Sequence, residues 1–147
     1  MIGLGLGEIV GSIVFGKLGD KVSMRTLITT NIFVAIVAFS ITIWYTIRFD
    51  FSLQRALLMT FMFGFSDGGL NTLLNSVLGF EFDSKTAPFG VKAVVQHLIC
   101  FIIIIFESFL GSQKSYLFYF VIEMIFCILA WLVFKISFEF RNESIYE

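Results

Sequence analysis

Residues 56–80 read ALLMTFMFGFSDGGLNTLLNSVLGF, an oily run of helix length crossed at intervals by small and polar side chains. At about 100° per residue, Thr60, Gly64, Asp67, Asn71 and Asn75 fall in one stripe of a helix. A carboxylate and two amides cannot face acyl chains, which satisfy no hydrogen bond. They must turn toward a protein neighbour or a wet cavity. The run therefore reads as a membrane span with an inward polar face.

The rest of the chain has the same character. Its 147 residues are 58% hydrophobic, with 20 phenylalanines against 10 basic and 11 acidic residues, and its mean hydropathy is +0.94. A water-soluble domain is less apolar and about a quarter charged. A span takes about 20 mainly apolar residues. The runs at 2–16, 26–47, 56–80, 93–111 and 116–136 predict an all-α, polytopic membrane protein of five transmembrane helices in a single membrane domain. The first run is the short one: its 15 or so residues reach about 22 Å, less than a hydrocarbon core of about 30 Å, as if truncated at its start. Short connections such as SQKS, residues 112–115, make successive helices antiparallel.

Charge sets the orientation and removes several function classes. With the loop after the first span placed in the cytoplasm, that side holds Lys17, Lys21, Arg25, Lys85, Lys92, Lys135 and Arg141, against Arg48, Arg55 and Lys114 opposite. Positive residues prefer the inside, so the carboxy-terminal tail is predicted to be cytoplasmic and the Asn142-Glu143-Ser144 sequon unglycosylated. A net charge of -1 offers no field for nucleic acid. The two cysteines, Cys100 and Cys127, lie in apolar runs without metal-ligand spacing and read as buried packing groups. No cofactor is expected. The run Gly11–Lys17 matches GxxxxGK, but Leu18 stands where a magnesium-binding hydroxyl belongs, and GLGLGE lacks the third glycine of a dinucleotide loop. No catalytic constellation is present, so the chain does not read as an enzyme.

Ionisable groups within spans are the functional candidates, because a charge at the bilayer centre costs at least about 2.5 kcal/mol. Asp67 is the best placed. Glu8 lies among Gly3, Gly5, Gly7 and Gly11, where two GxxxG pairs permit close helix contact. It reads either as structurally paired or as a coupling acid. On the fourth span Lys92, Gln96, Cys100, Ile103 and Glu107 share a face, with His97 about 100° away. Lone histidines in spans are usually hydrogen-bonded, and a proton relay is the alternative reading. Glu8, Asp67, Asn71, Asn75, Gln96 and His97 are thus the candidate lining of a substrate or ion pathway.

The first loop carries a recognisable pattern. Gly16-Lys17-Leu18-Gly19-Asp20-Lys21-Val22-Ser23-Met24-Arg25 resembles the G-x-x-x-D-[RK]-x-G-[RK]-[RK] loop of the major facilitator superfamily. It matches at Gly16, Asp20, Lys21 and Arg25, and departs at Ser23 and Met24. GLGEIVGSIVFGKLGDK resembles the eighth span and following loop of the Unc-93-like branch, and FGFSDGGLNTLLNSVLGFEF its tenth span; together they cover about a quarter of the chain. The resemblance implies spans eight to twelve of a twelve-span protein, with the amino-terminal half and seventh span missing. It also implies a midplane site between halves, a cavity-lining tenth span, and a cytoplasmic gate formed by Gly16, Asp20, Lys21 and Arg25.

Two functions follow as expectations. The first is a secondary transporter of a small solute or cation by alternating access, partnered by the missing half. The second is a regulatory or trafficking subunit of an ion channel or receptor, packed against a partner membrane protein in the lipid bilayer. Taken alone, with half of its cavity wall absent, the chain is expected to carry out no transport.

Overall fold

The computed structural model describes residues 1–48, 52–82 and 86–137. Five helices follow in order: α1 (Ile2–Gly19), α2 (Met24–Arg48), α3 (Leu53–Glu81), α4 (Ala87–Ser108) and α5 (Gln113–Ser137), with no strand among the described residues. Lys85, Arg141 and the Asn142 sequon lie outside those residues.

Serines start three of the helices. Ser23 Oγ accepts from the Thr26 amide at 3.4 Å, Ser52 from Arg55 at 3.3 Å, and Ser112 from Ser115 at 3.2 Å. Each supplies an acceptor for an amide that the first turn leaves unpaired. α4 begins differently, with Pro88 in its first turn and no side-chain bond from Thr86. Proline fits there because that amide has no helical partner anyway.

Four helices, α1, α2, α4 and α5, are long and apolar enough to cross a membrane, which fits a multi-pass membrane protein. α3 differs from the expectation of five. Its 29 residues are ample in length, about 43 Å, but its amides, hydroxyls and carboxylate lower its apolarity. α1 is longer than the run 2–16, because Lys17, Leu18 and Gly19 remain helical; its 18 residues reach about 27 Å. α4 starts at Ala87, six residues before the expected boundary at 93, and so takes in Lys92.

α1 and α3 run parallel and touch along their backbones. Gly3, Gly7 and Gly11 are buried against α3, which answers with Gly64 and Gly68 at the same spacing. A Cβ at Gly7 would lie 2.7 Å from the Phe65 nitrogen, and one at Gly68 would lie 2.7 Å from the Glu8 Cα. Only glycine permits that approach, and it brings whole stretches of main chain into van der Waals contact. On its other side Gly69 makes room for Phe15 and Asn31. Phe15, Met24, Leu27, Ile28, Leu73 and Val77 then form the core, at the end where α1 finishes and α2 begins.

α5 packs on α2, where Gln113 Nε2 donates to the Thr46 carbonyl at the far end. α4 stands apart, with no buried residue among its 22. Cys100, expected to be a buried packing group, is therefore exposed, while Cys127 on α5 is half-buried. Arg48 lies 4.4 Å from the Trp44 ring and Arg55 5.3 Å from the Tyr45 ring at one end, and Lys135 lies 5.2 Å from the Trp131 ring at the other. Aromatic and basic pairs of this kind suit the two membrane interfaces.

The glycine contact makes a comparison between two alanines informative. A Cβ at Gly11 would lie 2.9 Å from the Phe65 carbonyl carbon, whereas one at Gly5 meets nothing within 4 Å. Gly11→Ala should cost on the order of 1–3 kcal/mol in reversible unfolding from detergent micelles, and Gly5→Ala should cost nothing. Equal stability of the two variants would contradict the packing described.

Candidate functional site

The polar stripe on α3 divides between two neighbours. Thr60 and Gly64 turn to α1: Thr60 Oγ1 donates to the Ala56 carbonyl of its own helix at 2.9 Å, and Gly64 packs on Leu4. Asp67, Asn71 and Asn75 turn away from that contact. Asp67 and Asn75 are exposed, Asn71 is half-buried, and Lys92 of α4 reaches across to them.

Lys92 Nζ donates to Asn71 Oδ1 at 3.1 Å and to Asn75 Oδ1 at 2.8 Å, while Asn71 Nδ2 donates to Asp67 Oδ2 at 3.2 Å. An ammonium has only donors, so the oxygen of Asn71 must face Lys92 and its NH2 is left for the carboxylate. One amide thereby connects a cation to an anion. The charges offset each other without direct contact, and each keeps capacity: Lys92 has a third proton, and Asp67 has further lone pairs. The seam between α3 and α4 can hence accept a cationic or an anionic group, or a proton on Asp67.

Glu8 is half-buried, and its backbone lies against Gly68, the residue after Asp67, so the two acids share a depth. No hydrogen bond joins Glu8 to the Lys92 cluster. Next along α1, Ser12 Oγ donates to the Gly68 carbonyl at 3.2 Å and ties the two helices at that level. Gln96 and His97 are both exposed on α4, and His97 Nδ1 lies 2.6 Å from the Ala93 carbonyl one turn earlier in its own helix.

In the first loop, Gly16 and Asp20 line a cleft of about 260 Å³ together with Phe15, Leu73, Ser76 and Phe80. Lys21 and Arg25 are exposed beside it. The two departures from the loop pattern have structural uses. Ser23 caps α2, and Met24 is 5% exposed within the core, where a basic side chain would be costly.

Two polar features escaped the sequence reading. The sequence puts Lys92 on one face of the fourth span with Gln96 and Glu107, just before the apolar run bounded at 93, but does not show its reach to Asn71 and Asn75; Pro88 as a helix-starting residue is the signal that carries α4 back past it. Asn31, 1% exposed, donates through Nδ2 to the Ser66 carbonyl at 3.0 Å and accepts from Ser66 Oγ at 3.0 Å, linking α2 to α3. A lone amide in an oily helix was the available sign.

Compared with protein-family models, curated proteins and solved structures, the chain matches none.

Removing the Asn31 amide leaves the Ser66 hydroxyl without its partner. Asn31→Ala should cost about 1–2 kcal/mol of unfolding free energy. Ser66→Ala made in the same background should add much less than it costs alone. Additive costs in that double-mutant cycle would mean that the two side chains act separately.

Proposed function

We propose that this chain is an Unc-93-like member of the major facilitator superfamily and forms part of a secondary transporter that moves a small solute by alternating access. The observation that carries the proposal is the Asp67–Asn71–Lys92–Asn75 chain of hydrogen bonds across the α3–α4 seam. Charged and amide groups at membrane depth mark a pathway by default. Here they lie on a seam whose two sides are held mainly by those same bonds, since α4 buries nothing against the bundle.

In this reading Lys92 is a resident cation. When α4 lies against α3 it occupies the amide oxygens, and when the seam opens Asn71 and Asn75 are freed for a solute. Asp67 then takes a proton or cation, whose arrival favours one of the two arrangements. The rigid α1–α3 pair provides the fixed wall, and the Gly16–Arg25 loop, with its match to the facilitator pattern, provides the gate on one side. Glu8, at the depth of Asp67, is a second acid open to the same coupling.

A second reading rests on α4 itself. A helix of 22 residues with none buried presents a long face to another membrane protein, as a regulatory or trafficking subunit of a channel or receptor would.

Vesicles reconstituted with the intact membrane protein separate the two. Transport predicts solute uptake driven by a proton or sodium gradient, falling about tenfold or more in Asp67→Asn. Unchanged uptake would remove Asp67 from the mechanism. Copurification of one stable channel or receptor, with no solute-dependent shift in Tm, would favour the second reading.

A further inference from the structure

Beyond the amide cluster, the same seam opens into a groove. α3 and α4 diverge there around a volume of about 590 Å³, lined by Leu78 and Phe82 on one side and Pro88, Val91 and Val95 on the other, with Lys92 as its charged residue. Among the described residues that line the groove, Lys92 is the one that is not apolar. It sits near the end where α3 finishes and α4 starts; Lys92 is about 8 Å along α4 from Ala87. Lys92 is also the residue immediately before the apolar run that begins at 93, at the polar end of that span.

Three features give the polar end a positive character. Two protons of the Lys92 ammonium go to neutral amide oxygens, its only anionic neighbour in that chain, Asp67, is reached through Asn71 rather than directly, and its third proton is open. No carboxylate among the described residues contacts Lys92 directly. α4 also begins beside the groove without the side-chain cap that α2, α3 and α5 have, leaving first-turn amides and the positive end of a 22-residue helix dipole at the same place.

We propose that this groove holds an anionic membrane lipid, its acyl chain lying between α3 and α4 and its acidic headgroup resting on the Lys92 ammonium. An apolar trough with one cation at its polar end has the polarity of such a lipid reversed in charge. A small polar solute would find a single partner and a wall of hydrocarbon, and a zwitterionic lipid would bring a second cation to Lys92. Basic pockets between helices bind acidic headgroups on these terms. The lipid also supplies the contacts that α4 does not make with the bundle. The inference does not depend on transport, because it concerns occupancy of the groove.

The test uses the full chain in nanodiscs of equal phosphatidylglycerol and phosphatidylcholine, with retained lipid counted by native mass spectrometry after release into detergent. Phosphatidylglycerol should be retained about fivefold over phosphatidylcholine. Lys92→Gln should bring the ratio near unity, Lys92→Arg should preserve it, and Val95→Trp should reduce retention by filling the groove. Lys135→Gln, at a different helix end, should leave the ratio unchanged. Equal retention of the two lipids by the unaltered chain would overturn the proposal. So would a preference that survives Lys92→Gln, or phosphatidylglycerol retention undiminished in Val95→Trp, and so would displacement of the lipid by inorganic phosphate alone. Should Lys92→Gln fail to fold, the Val95→Trp result decides.

Discussion

The contact on which the structure depends is main chain against main chain between α1 and α3. Hydrocarbon neighbours give helices in a bilayer no hydrophobic reason to associate, so association rests on close packing and on polar bonds that lipid cannot replace. Five glycines from the two helices, Gly3, Gly7, Gly11, Gly64 and Gly68, bring the backbones together, and Ser12 adds a hydrogen bond to the Gly68 carbonyl. The register of that contact then decides the orientation of everything else on α3. With Gly64 and Gly68 committed to α1, Ser66, Gly69 and Leu73 turn to α2 and the core, and Asp67, Asn71 and Asn75 are left to the α4 side.

The two neighbours of α3 are held in different ways. α2 is fixed by packing and by the buried Asn31–Ser66 pair, both of whose side-chain groups are satisfied. α4 is fixed at one end by bonds from a single lysine and approaches α5 near its other end, where the Phe106 and Tyr119 rings lie 6.5 Å apart. A helix held at two points, with an apolar groove beside its first turns and no buried residue, is the least constrained element of the bundle. That difference between a rigid wall and a loosely held one underlies the proposed function and the proposed lipid site alike.

Much of this was legible in the sequence, and the misses have physical causes. The all-helical architecture followed from hydropathy, and the glycine spacing of residues 3, 7 and 11 announced a close helix contact. Gly64 and Gly68 are at the same spacing, but Gly64 was absorbed into the polar stripe because helical periodicity does not say which neighbour a face will meet. The stripe consequently divides where it was expected to act as one face. Lys92 was taken as a boundary because hydropathy treats charge as an interruption, although a lysine can enter a membrane helix when amides and a distant carboxylate receive it. Ser23 and Met24 stood out as departures from a pattern; only three-dimensional packing shows one as a cap and the other as core.

The account requires that Asp67, Asn71 and Asn75 face water within the membrane. The direct measurement is the accessibility of a spin label at Asn75→Cys, with Cys100 and Cys127 replaced by serine, in reconstituted bilayers. A label facing a wet crevice will collide with a water-soluble nickel chelate far more often than a label at Ile9→Cys, on the outward face of α1, which will collide mainly with dissolved oxygen. If the two positions show the same oxygen-rich, nickel-poor profile, the stripe lies in acyl chains and the account fails.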